Sequence, residues 1–155
     1  MSLFRREEYR RRGFRKKQVP FSIDELSTII QNKSPDVYFA YLFGSAQNGV
    51  IPVEGDIDIA IYMNEQKQTN WDTIANVIDI IETFLQFKAE CDLTILNKSN
   101  IYLRYECLRG KCLFVKDQYK DLYCNIVMKT YYEIEEANYL REKYYDHIRN
   151  LSSGL

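Results

Sequence analysis

Seven apolar residues in a row, Val37-Tyr-Phe-Ala-Tyr-Leu-Phe43, stand between the turn signal Ser34-Pro35-Asp36 and Gly44. The run is far short of the ~20 residues that a membrane-spanning helix needs. It does not alternate with polar residues, so it does not read as a strand with one wet face. Its aromatic content and the turn signals at both ends point to a strand buried on both faces. Such a strand has to be covered on each side, which requires a sheet with helices packed on it.

The remaining chain supplies those layers. Ser22 and Glu25 form a capping box, and Ile23, Leu26, Ile29 and Ile30 recur at helical spacing, which predicts a helix from about Ile23 to Asn32. Residues 44–55 hold Gly44, Gly49, Gly55 and Pro52, and read as a connecting loop with a short helical turn. From Asp56 to Met63 the pattern alternates, placing Asp56, Asp58 and Ala60 on one face and Ile57, Ile59 and Ile61 on the other. A second helix is expected over Trp71 to Lys88, a third strand over Cys91 to Leu96, a short helix near 99–109 and a strand over Cys112 to Val115. The final helix, about 118–149, places Leu122, Ile126, Val127, Ile134, Ala137, Leu140, Tyr144, Tyr145 and Ile148 within an arc of roughly 140°. The expected fold class is α+β, a mixed sheet of about four strands flanked by helices and closed by a long C-terminal helix.

Length and charge narrow the class further. The 155 residues fit one domain. The net charge of −1 is the sum of two unlike parts. Residues 1–17 carry eight basic and two acidic residues, and the rest carries thirteen basic and twenty acidic. We therefore divide the chain into a flexible basic extension, 1–20, and a folded domain, 21–150. An acidic body has few cations to replace phosphate counterions, so direct nucleic-acid binding is not expected of it. The extension has the charge to meet RNA or an acidic protein surface, or to remain a solvated tail. No apolar stretch follows it as a secretion signal requires, and no spanning segment is present, so a cytoplasmic protein is expected. The four cysteines form no C-x-x-C pair and read as reduced, small hydrophobic residues.

Chemistry concentrates in Gly44-Ser45, ten residues, then Asp56-Ile-Asp58. Gly44 ends the apolar strand and leaves room for a phosphate to approach the backbone. Ser45 adds a hydroxyl and an N–H suited to phosphate oxygens. Asp56 and Asp58, at i and i+2, have Cα atoms roughly 6.5–7 Å apart on one face of a strand. Both carboxylates can then converge on a pair of divalent ions ~3.5–4 Å apart. Asp92 can bring a third carboxylate to the same place. A Gly-Ser pair alone carries no signal, and a lone D-x-D is more often a solvated strand edge. The order strand, Gly-Ser, strand with D-x-D is what gives these residues meaning.

That order resembles the signature of the polymerase-β-type nucleotidyltransferases, and within them the minimal, MntA-type adenylyltransferase antitoxins that pair with HEPN-domain toxins. The segment Cys91-Asp-Leu-Thr-Ile-Leu-Asn97 is similar to the family's third-acid strand. Leu103 to Phe114 is similar to its helix, glycine and apolar strand. The last helix, with Tyr131, Tyr132, Leu140 and Arg141, is similar to its closing helix. The loop departs from the family in carrying Asn48 where an arginine is common, and Gly55 where serine is usual. The resemblance implies a nucleotidyltransferase fold and Mg²⁺-dependent transfer of AMP from ATP to a hydroxyl, that of a tyrosine on a HEPN ribonuclease toxin. It implies Gly44 and Ser45 as nucleotide-binding residues, Asp56, Asp58 and Asp92 as catalytic residues and ligands of two Mg²⁺ ions, and a homo- or hetero-oligomer. The rival readings are an antitoxin that neutralises by occlusion with a weak nucleotide site, and a small-molecule transferase of the aminoglycoside-modifying type. His147 reads as a surface residue favoured by the helix dipole; Arg104 and Arg109 have two readings, a reach to a phosphate or surface ion pairs, of which the ion pairs are preferred.

Overall fold

The computed structural model describes residues 17–154, and most of the basic head lies outside that range. Among the described residues, six strands and four α-helices follow in the order β1 (Val19–Pro20), α1 (Ile23–Lys33), β2 (Val37–Phe43), β3 (Val50–Ile51), β4 (Ile57–Met63), α2 (Trp71–Phe84), β5 (Cys91–Ile95), α3 (Ile101–Leu108), β6 (Lys111–Val115) and α4 (Lys120–Ser153). The main sheet has the order β5-β4-β2-β6. β2 pairs antiparallel with both β4 and β6, whereas β4 and β5 run parallel. The four-stranded mixed sheet and the long last helix match the expected fold class.

The apolar run is the centre of this sheet. Ala40 and Leu42 of β2 face one core with Ile57, Ile59 and Ile61 of β4, covered by Leu26 and Ile30 of α1 and Val77 and Ile81 of α2. Phe39 and Tyr41 point to the other face, where they meet Ala60, Tyr62, Cys107 and Leu108. Each fully buried Ile or Leu contributes about 1.5–3 kcal/mol relative to exposure. On the second face, rings bring α4 onto the sheet: Phe39 and Tyr123 meet edge-to-face with centroids 5.0 Å apart, and Tyr38 stacks on Tyr119 at 3.6 Å. The Tyr41 and Tyr123 hydroxyls share a hydrogen bond.

Polar side chains close the element ends. The Glu25 N–H donates to Ser22 Oγ (3.2 Å), as the capping box predicts. Asn70 and Asn100 cap α2 and α3 in the same way. Asn97 accepts from the Met63 N–H (3.0 Å) and donates to the Met63 carbonyl (2.8 Å), satisfying both backbone groups of the last residue of β4. Arg104 donates to Thr130 Oγ1 (2.7 Å) and to Glu133 (2.9 Å), tying α3 to α4.

The structure corrects the sequence reading in three places. α2 ends at Phe84, before Lys88, because Gln86 and Phe87 adopt φ of 54° and 56°, which no helix continues. Leu85 stays buried, so the apolar periodicity outlasts the helix. The loop after Gly44 contains β3, whose pairing with β1 (Val19↔Ile51, Pro20↔Val50) draws the end of the extension onto the domain. The apolar arc of α4 is covered only as far as Ile134 and Ala137. Leu140 (60% exposed), Tyr144 (61%), Tyr145 and Ile148 face outward. A helix of 34 residues is about 50 Å long, while a seven-residue strand is about 23 Å, so α4 outruns the sheet that could cover it.

Replacing Asn97 by alanine leaves the Met63 peptide without its two side-chain partners. The expected loss is about 1–3 kcal/mol, read as a lower denaturation midpoint at unchanged slope.

Candidate active site

The predicted residues meet at one end of the sheet. Phe43, the last residue of β2, lies opposite Asp58 of β4, so the chain leaves the sheet at Gly44 beside that carboxylate. Asp92 is the direct parallel partner of Asp58 on β5. Asp56 stands just before β4, two residues from Asp58. Asp58 shares its side of the strand with Ala60 and Tyr62, so the acids belong to the face covered by α3 and α4.

Gly44 is required here for two reasons. Its φ of 74° lies in the left-handed region, and a Cβ built on it would come within 2.2 Å of Asp58 Oδ2. Residues 44–46 then form a single 3₁₀ turn that exposes Ser45 while burying Ala46. Gln47 donates to the Gly44 carbonyl (3.1 Å), and Asn48 accepts from the Val50 N–H (3.2 Å). Asn48 is thereby committed to starting β3, and brings no positive charge to the loop.

The electrostatics of the acids are those of an anionic cluster. Burial, the Asp92 carboxylate and the Asp56 carboxylate, in that order, all raise the Asp58 pKa. Cys107, on the buried face of α3, has its thiol pushed up to about 12 by burial first and by Asp58 next. A cation near Asp58 would relieve this repulsion. Hard carboxylate oxygens are the donors that Mg²⁺ prefers, so Asp56, Asp58 and Asp92 fit such an ion by chemistry. As they stand, no three His, Cys, Asp or Glu side chains among the described residues form a group that would hold a metal ion by itself. Magnesium usually completes its shell with water and substrate phosphates, and an open arrangement leaves room for them.

Arg104 is used in the α3–α4 tie. Arg109 is exposed, at 3.3 Å from Glu106 and over the Tyr105 ring. Both arginines form ion pairs, as expected, but only Arg109 does so at the surface; Arg104 is half-buried between α3 and α4. His147 is exposed on α4.

The family model described as "Polymerase beta, Nucleotidyltransferase" matches residues 24–119, which is more than half of the chain and contains the whole acidic cluster. The chain belongs to the polymerase beta nucleotidyltransferase family. Solved structures agree on the fold. A chain of a mutant toxin-antitoxin MntA-HpeT superimposes on this nucleotidyltransferase with a TM-score of 0.60 and 17% identity, over 83% of this chain and 98% of that one. A toxin-antitoxin with AMP-PNP gives 0.59 and 19%, over 81% and 97%. A complex of a tri-AMPylated Shewanella oneidensis HEPN toxin with an MNT antitoxin gives 0.55 and 18%, over 81% and 94%. At these identities the likeness is one of fold. No curated protein is significantly similar to the chain in sequence. No helix among the described residues is long and apolar enough to cross a membrane.

A Gly44→Ala variant of the nucleotidyltransferase is expected to lose about 1–3 kcal/mol of stability from the strained backbone and the collision with Asp58. Adding Asp58→Ala should restore part of that loss, which a double-mutant cycle of denaturant midpoints would read.

Proposed function

We propose that this nucleotidyltransferase moves AMP from ATP to a tyrosine hydroxyl of a partner HEPN-type ribonuclease toxin and so acts as its antitoxin. The observation that supports the chemistry is the parallel register of Asp58 with Asp92, with Asp56 two residues before Asp58, beside the side-chain-free backbone of Gly44. Ser45 and the backbone after Gly44 hold the phosphates of ATP. Asp56, Asp58 and Asp92 hold Mg²⁺, two ions in the fully loaded site. When bound, the metal neutralises charge on the phosphates and on the pyrophosphate that departs. Asp92, the exposed member of the three, orients the attacking hydroxyl and takes its proton. The hydroxyl oxygen bonds to the α-phosphorus, the bond from that phosphorus to the β-bridging oxygen breaks, and pyrophosphate leaves with that electron pair.

The partner is supported by the uncovered end of α4. From Asn138 onward every described residue is exposed, and Leu140, Tyr144 and Ile148 form an apolar stripe there. Solved structures similar in fold include chains of toxin-antitoxin complexes, one of them with an AMPylated toxin. A second reading, neutralisation by occlusion alone, is favoured by Asn48, which leaves the phosphate loop without a cation.

The deciding experiment combines the purified chain, ATP, Mg²⁺ and a HEPN-type ribonuclease toxin. The expected result is an AMP mass increment on a toxin tyrosine and loss of ribonuclease activity. Asp56→Asn or Asp58→Asn is expected to slow transfer by at least about a hundredfold. An Asp56→Ala/Asp58→Ala variant that adds no AMP yet neutralises the toxin equally well would establish occlusion instead. Leu140→Glu together with Ile148→Glu should weaken the complex about tenfold or more, read by calorimetry, with the far-ultraviolet spectrum unchanged.

A further inference from the structure

The chain has a basic head and an acidic body, and the structure places the boundary between them. Residues 1–17 carry eight basic residues against two acidic ones, and the rest carries thirteen against twenty. Residues 1–16 lie outside the described residues, but the strand that follows them is placed. β1 pairs antiparallel with β3, Val19 against Ile51 and Pro20 against Val50. Followed backwards from Val19, the chain runs towards the turn Pro52–Gly55, where the Gly55 N–H donates to the Pro52 carbonyl (2.9 Å). That turn leads directly into Asp56. β1 also adjoins the end of α2: Val19, Pro20, Phe84, Leu85 and Lys88 help to line one cavity of about 300 Å³. The root of the basic segment is thus fixed on two sides.

Acids gather around that root. Glu54 is exposed in the turn. The Ile57 N–H donates to the Glu90 carbonyl (3.0 Å), so the residue before β5 adjoins Asp56, the residue before β4. Glu82, in the last turn of α2, is fully buried, and Glu90 is 5% exposed. Buried carboxylates keep their charge where positive groups stand close, because burial alone disfavours the ion. β5 is also an edge strand of the main sheet, a boundary that folded proteins tend to cover. A segment of residues 1–16 spans roughly 50 Å when extended and about 24 Å when helical. Either form extends well past Lys88, which shares its cavity with Val19.

We propose that residues 1–16 dock on their own domain, across the start of β4 and β5, with the basic side chains of the segment set against Glu54, Asp56, Glu82 and Glu90. The acidic surface that the head meets is then the body of the same chain. The segment acts as an internal counter-charge and not as a tail that recruits RNA. Arginine suits this role, because its planar guanidinium meets carboxylates in bidentate fashion. Exposed pairs such as those at Glu54 contribute little, whereas pairs at Glu82 and Glu90 are shielded from water and salt. The docking goes beyond the transfer reaction and does not depend on it.

Trypsin reads the docking, because it cleaves after arginine and lysine. In the full chain, cleavage within residues 1–16 is expected to be slower by about tenfold or more than in a synthetic peptide of the same residues. Glu82→Gln together with Glu90→Gln should bring the rate back towards that of the peptide. Where that pair disturbs folding, Arg10→Glu with Arg11→Glu and Arg12→Glu gives a second reading. Reversing the charge of a docked segment lowers the denaturant midpoint, whereas reversing that of a solvated tail leaves it unchanged. Equal cleavage of chain and peptide, or an unchanged midpoint in the arginine variant, would overturn the proposal. So would binding of a polyuridine oligonucleotide by the full chain as tightly as by the peptide, since a docked segment has its cations engaged.

Discussion

The structure depends on the antiparallel pairing of β2 with β4 between two apolar layers. Leu42 and Ile59 face the α1–α2 core, while Phe39, Tyr41 and Ala60 face α3 and α4. Burial on both sides leaves no alternative register, because a slip of one residue would exchange the two faces. The same register sets Phe43 against Asp58 and so brings Gly44 to the carboxylate. Packing of the core and placement of the acids are one constraint seen at two points along the strands.

Carboxylates at the end of a buried sheet are costly neighbours. Burial and mutual repulsion both raise Asp58, and the nearby Cys107 thiol feels the same negative charge. The arrangement persists because the strands are over-determined elsewhere, by the cores and by side chains such as Asn97 that close the edges. An electrostatic strain held by packing is a common property of sites that bind cations. Part of the acidic body's surplus charge is concentrated at this end of the sheet.

Much of this was legible in the sequence. The unbroken run Val37–Phe43 implied a two-sided strand, the D-x-D alternation set the facing of β4, and Ser22 marked the start of α1. What escaped was non-local. Leu85 keeps helical periodicity although the helix ends at Phe84 and the backbone turns away at Gln86 and Phe87. The pairing of Val19 with Ile51 joins two short segments that carry no periodicity of their own. The α4 stripe obeys one pattern throughout, yet only its first half finds a sheet beneath it.

The sequence by itself determined the layers and the family, because periodicity and residue type are local properties. Only the tertiary structure decided that Asp92 stands beside Asp58, that Asn48 is taken up by the loop backbone, and that the last turns of α4 lie uncovered. Each of these is set by which strands adjoin and how far a helix extends past a sheet. Those are properties of long-range packing, on which single residues carry no mark.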